Sequence, residues 1–261
     1  MCTMVEYFIV DAFTDHPYSG NPAGVVLLKS PREGAWMQAV AREVNLSETA
    51  FVGPLDADHG RRGLRWFTPT AEVDLCGHAT LAAAFVLGGR STFMTRSGEL
   101  HGNASPSGTV EVDLPADAPA TSSDDVSRCL PGVVVHEVLR GTSDVVAVVD
   151  DADVVGALRP DIAEIVALGS RGLIVTAPAR EGDSVDYVAR CFYPAVGVPE
   201  DPVTGSAHCT LAGYWGGRLG RRMVVGAQLS ARGGIVRSTS SGARVVIAGD
   251  AVMVMHGRIL H

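Results

Sequence analysis

The segment Arg65-Trp66-Phe67-Thr68-Pro69 returns later in the chain as Arg190-Cys191-Phe192-Tyr193-Pro194. His78-Ala79-Thr80-Leu81-Ala82 returns as His208-Cys209-Thr210-Leu211-Ala212, and the glycine pair Gly88-Gly89 as Gly216-Gly217. Upstream, Phe51-Val52-Gly53-Pro54 is answered by Val175-Thr176-Ala177-Pro178. Matches in one shared order, at slowly drifting spacing, mean two copies of one supersecondary plan. A chain of 261 residues is long enough for two such halves, each with its own core. The expected halves are residues 1–118 and 122–251, joined through Pro115 to Asp125, a stretch rich in Ala, Pro, Ser and Asp. The second copy carries one strand too many, because Val245 to Gly249 already matches Thr109 to Asp113. Residues 252–260 are therefore expected to cross back and complete the first half's sheet.

Each copy has a readable local structure. Tyr7 to Val10 and Gly24 to Leu28 are β-branched apolar runs and predict strands. Ser30-Pro31-Arg32-Glu33 reads as a capping box, serine at the N-cap and proline at the first helical position. Trp36, Val40 and Val44 then give the helix an apolar face as far as Asn45. Pro160 to Leu168 is its counterpart, with Ile162, Ile165 and Val166 apolar and Gly169 as the stop. A second helix in each copy, Gly77 to Leu87 and Gly205 to Trp215, is small and apolar all round. Such a helix suits burial on every side. The expected fold class is therefore α/β (α+β): two pseudo-symmetric halves, each a curved, mostly antiparallel sheet wrapped around a central helix.

Composition removes several function classes. Hydrophobic residues are 46% and charged ones 19%, which excludes a disordered chain. The net charge is -8 and no basic stripe is visible, so no nucleic-acid partner is expected. Lys29 is the sole lysine and sits in a loop-like Lys29-Ser30-Pro31, a poor place for a Schiff base. No run approaches the roughly 20 apolar residues that span a bilayer, and the start lacks signal-peptide order. The five cysteines are scattered at 2, 76, 129, 191 and 209 without a CxxC pair. A cytoplasmic protein with no membrane partner is expected.

Chemistry concentrates at two helix starts and one carboxylate. Cys76-Gly77-His78 and Thr204-Gly205-Ser206 are glycine-led turns whose free N–H groups and helix dipole suit an anion. Packed by pseudo-twofold symmetry, both ends would face one cleft and hold a small carboxylate with no cofactor or metal. The alternative is a pair of ordinary helix caps. Glu48 stands at the start of a neutral strand, and its repeat counterpart is Gly172 or Leu173, so nothing balances it. Such a glutamate suits general acid–base work, though a solvated strand-edge carboxylate is the plainer reading. Asp201 belongs to the mouth of the second turn, with Asp74 near the matching place in the first. Cys76 at a helix start could act as an acid/base thiol, but its repeat partner is Thr204, which breaks a two-thiol mechanism. A zinc site from Cys76, His78, His208 and Cys209 lacks the usual ligand spacing, and no metal is expected. His208, deeper in its helix, reads as a satisfied core histidine.

Several motifs together resemble one family. Val10-Asp11-Ala12-Phe13, Gly20-Asn21-Pro22-Ala23, Asn45-Leu46-Ser47-Glu48-Thr49-Ala50-Phe51, Asp74-Leu75-Cys76-Gly77-His78-Ala79-Thr80 and Asp201-Pro202-Val203-Thr204-Gly205-Ser206-Ala207-His208 are similar to the PhzF-like isomerases of phenazine biosynthesis. The resemblance implies a diaminopimelate-epimerase-like fold and a homodimer. In the family's characterised member the glutamate of the N-L-S-E-T motif moves a proton on dihydro-3-hydroxyanthranilate. Carried over, Glu48, His78 and Asp201 become the catalytic residues, and Gly77, Gly205 and Ser206 bind a small anionic metabolite. A Cys76-dependent dehydratase or epimerase of an amino or imino acid is the alternative.

Overall fold

The computed structural model describes residues 4–260. The chain divides into two compact units: one runs to Asp113 and resumes at Ala248, and the other is Leu114–Ile247.

The first unit contains β1 (Val5–Ala12), β2 (Asn21–Leu27), α1 (Gly34–Val44), β3 (Glu48–Asp56), β4 (Arg61–Phe67), β5 (Glu72–Val73), α2 (Gly77–Leu87), β6 (Gly89–Thr95), β7 (Gly98–Ala104) and β8 (Thr109–Pro115). β1 and β2 are antiparallel, β2 and β3 parallel, β3 and β4 antiparallel, β4 and β6 parallel. β6–β7 and β7–β8 are antiparallel again. The last strand of the chain, given below as β17, pairs with both β8 and β1 and so closes the series into a ring. α2 packs against β1, β2, β3, β6 and β7 inside that ring. Every residue from Gly77 to Ala84 is buried. Closeness on all sides is why those residues are small: a Cβ on Gly102 of β7 would lie 2.7 Å from the Ala84 Cβ.

The second unit repeats the pairing order. It contains β9 (Ala120–Thr121), β10 (Val135–Arg140), β11 (Asp144–Val149), α3 (Ala152–Ala157), α4 (Ile162–Ala167), β12 (Gly172–Pro178), β13 (Tyr187–Tyr193), β14 (Val198–Asp201), α5 (Gly205–Leu219), β15 (Met223–Gln228), β16 (Gly234–Ser241) and the start of β17 (Arg244–Ile259). Its ladders run antiparallel, parallel, antiparallel, parallel, antiparallel from β10 through β16. α5 packs on β15 and β16. The polar stretch after β8 is pinned by Asp117, whose carboxylate accepts from Thr142 N at 2.9 Å and from Thr210 Oγ1 at 2.7 Å.

Two local expectations are corrected. α1 begins at Gly34, with Glu33 as its N-cap in an extended conformation, so Ser30-Pro31-Arg32-Glu33 forms no capping box. Packing sets the start: Arg32 folds over the Trp36 ring at 5.2 Å, and Gly34 backs onto the Arg65 guanidinium. The helix does stop at Asn45, which takes the left-handed conformation. In the second unit the predicted helix shrinks to α4, started by the Asp161 carboxylate accepting from Ala163 N and Glu164 N. Six residues present one core position, Ile165, and leave Ile162 and Val166 exposed.

Candidate active site

The first unit gathers Glu48, Cys76, Gly77 and His78 at the start of α2. Glu48 opens β3, where the parallel ladder sets it opposite Ala23 of β2. Its side chain is 17% exposed, and Oε2 lies 3.3 Å from His78 Nε2. The same nitrogen faces Ser47 Oγ at 3.4 Å. The other ring nitrogen, Nδ1, faces Asn21 Nδ2 at 3.2 Å and Cys76 Sγ at 3.6 Å. Cys76 is the extended N-cap of α2 and its side chain does not cap the helix, leaving the first-turn N–H groups without a thiol acceptor. A half-buried carboxylate, an imidazole and a thiol thus share the positive end of a helix.

Asn21 reaches His78 because of a turn built for it. Gly20 has φ +64°, and a Cβ there would fall 2.2 Å from the Ala12 carbonyl oxygen, so only glycine fits. The buried Asp11 carboxylate holds the same loop by accepting from Tyr18 N at 2.7 Å.

Asp201, Gly205 and Ser206 belong to the second unit, around the start of α5. Asp201 is buried and accepts from Thr204 Oγ1 at 2.5 Å. Gln228 clamps this turn: its Oε1 accepts from Thr204 N at 2.9 Å and its Nε2 donates to the Asp201 carbonyl at 2.7 Å. Ser206 Oγ accepts from Arg171 Nη2 at 3.0 Å. A guanidinium has no acceptor, so the Ser206 hydroxyl accepts in this contact and its proton points elsewhere. Arg171 is held bidentate by the buried Asp144 and lies over the Tyr193 ring at 4.7 Å. Burial works against its charge, but the Asp144 carboxylate outweighs that and raises the guanidinium pKa further.

His208 and Cys209 lie in the second unit's interior. His208 Nδ1 is 2.7 Å from the Tyr187 hydroxyl, and among the described residues Nε2 has no partner at hydrogen-bond geometry. Burial brings its pKa down to about 4. Among the described residues the cluster with metal-ligand atoms close together is instead Glu48, Cys76 and His78, all within 4.8 Å. The ring turns Nδ1 to the thiol and Nε2 to the carboxylate. Asp74 is exposed beside Arg96. Asn21 and Ser47 stand inside quoted motifs, a signal that could have marked them. Arg171 and Gln228 carried none.

With this geometry established, comparison with known proteins is decisive. The sequence profile of the phenazine biosynthesis-like (PhzC-PhzF) family matches residues 10–257. The chain belongs to that family. A Pseudomonas aeruginosa relative named as an uncharacterized isomerase is 45% identical over 98% of each chain. The crystal structure of a PhzF family protein from Enterococcus faecalis has a TM-score of 0.91 and 38% identity, covering 98% of this chain and 99% of that one. A hydroxyproline epimerase from Agrobacterium vitis shares the fold at TM-score 0.60 with only 10% identity, over 98% of this chain and 92% of that one. The family's α+β, diaminopimelate-epimerase-like fold is therefore present here. No helix of the described residues is long and apolar enough to cross a membrane.

Proposed function

We propose that this PhzF-family chain is a cofactor-independent isomerase of a small carboxylate-bearing metabolite, with Glu48 as the proton-transfer base. The observation that carries this is the half-buried Glu48 carboxylate, 3.3 Å from His78 Nε2 at the head of α2. Glu48 removes a proton from carbon and returns it to another carbon, so a double bond moves and atoms balance. His78 holds the carboxylate. Gly77 and Gly205, at helix starts whose N-cap side chains do not cap, supply N–H groups to the substrate's anionic groups, with Ser206 and Asp201 completing the grip. The names of the relatives as isomerases support the reaction class.

The test is a screen of small carboxylates in D2O, dihydro-3-hydroxyanthranilate among them, followed by NMR. Wild type should place solvent deuterium on carbon, and Glu48→Gln should lose at least about 10²–10⁴-fold in that rate while still binding ligand. Cys76 Sγ, 3.6 Å from His78 Nδ1, favours a second reading, a thiol-dependent dehydratase or epimerase. An active Glu48→Gln beside a dead Cys76→Ser would overturn the first reading and establish the second.

A further inference from the structure

The Gly20-Asn21-Pro22 motif has no part in the reaction as proposed, yet Asn21 is completely buried and its amide touches the catalytic cluster on both sides. Counting donors and acceptors assigns it a task. A carboxylate only accepts, so the His78 Nε2 that faces Glu48 carries the hydrogen. Neutral imidazole has one N–H, which leaves Nδ1 as a bare acceptor. Two donors meet that lone pair: the Asn21 amide at 3.2 Å and the Cys76 thiol at 3.6 Å. The other end of the same amide agrees, because Asn21 Oδ1 accepts from Ser47 Oγ at 3.4 Å. With its hydrogen committed there, Ser47 Oγ can also accept from His78 Nε2 at 3.4 Å. Every atom of the Asn21 amide, the Ser47 hydroxyl and the imidazole then has one consistent role.

We infer that Asn21 is a positioning residue whose amide N–H fixes His78 as the neutral Nε2–H tautomer, making the ring a one-way donor that aims the Glu48 carboxylate. The inference rests on Glu48 being the base. It gives Cys76 a supporting task as a second donor to Nδ1, in place of a thiolate paired with an imidazolium. The Gly20 turn and the Asp11 anchor are then parts of the site, since they set where the amide stands. The general rule is that the partner of one imidazole nitrogen decides which nitrogen is protonated.

The experiment is nitrogen-15 NMR of the histidine side chains of the full chain near neutral pH, with the His78 signals assigned by their loss in His78→Gln. The expected signature is a protonated Nε2 beside an unprotonated Nδ1. Asn21→Asp replaces the donor with an acceptor of the same shape and should place a hydrogen on Nδ1, so that the bare-nitrogen signal leaves that position. A doubly protonated ring in wild type, or an Nδ1–H ring, overturns the proposal, and so does a ring whose signals ignore Asn21→Asp. Should the buried carboxylate prevent folding, the wild-type spectrum still decides between the three protonation states. Since no turnover is measured, failure here is separate from failure of Glu48 as base, which the Glu48→Gln exchange rate reports.

Discussion

His208 is buried in the second unit with one nitrogen on Tyr187, the other at no hydrogen-bond geometry among the described residues, and a pKa brought down to about 4 by burial. The ordinary value is 6.5, so in acid the unfolded chain takes a proton that the folded chain refuses until about pH 4. Its contribution is therefore intact above about pH 6.5 and falls as the pH drops toward 4, by about 3 kcal/mol in all. Urea unfolding near pH 7 and near pH 5 should show this loss in wild type. His208→Gln should flatten it, and an unchanged slope would acquit His208. At the start of α5 the accounting is the opposite, with Asp144, Arg171 and Ser206 pairing in sequence.

Among the elements, the buried α2 and the partly exposed α5 differ in how tightly they are gripped. Gly102→Ala drives a methyl into Ala84 of α2 and should destabilise by about 1–3 kcal/mol. Gly217→Ala in α5 meets nothing within 4 Å among the described residues and should stabilise by about 0.5–1 kcal/mol, since alanine is the better helix former. Chemical denaturation of both variants checks the pair. This contrast also explains what the sequence could tell. The bounds of α2 were legible because a glycine-led turn opens it, Gly88 follows it, and uniformly small residues demand burial. The start of α1 was not, because Arg32 on Trp36 and Gly34 on Arg65 are packing events that a local capping pattern does not encode. α3, six residues capped by Asp151, is too short to show a period. At the site, Glu48 and His78 stood in compact motifs. Gln228 was hidden because its task comes from a strand pairing, beside Ala189, that local spacing does not reveal.

At the scale of the molecule, connectivity matters more than composition. The ladder from Val5↔Ile259 to Ala12↔Ala251 joins the two ends of the chain, and residues 114–247 form a unit of their own in between. Removing residues 252–261 should strip β1 of one neighbour and open the ring around α2. Hydrogen exchange of the truncated chain should then show lost protection in β1, β2 and α2. Full protection there would mean the ring does not depend on its closing strand.

The same ladder has a consequence for birth. A ribosome delivers β1 well before its partner, about 240 residues earlier. At about 5–20 residues per second, the opening strand waits on the order of ten to fifty seconds for the strand that covers it. Throughout that wait β1 has a bare hydrogen-bonding edge, the kind of edge on which nascent chains aggregate. Emergence of that distant strand, and not local folding speed, sets when the half that carries Glu48 and His78 can first close.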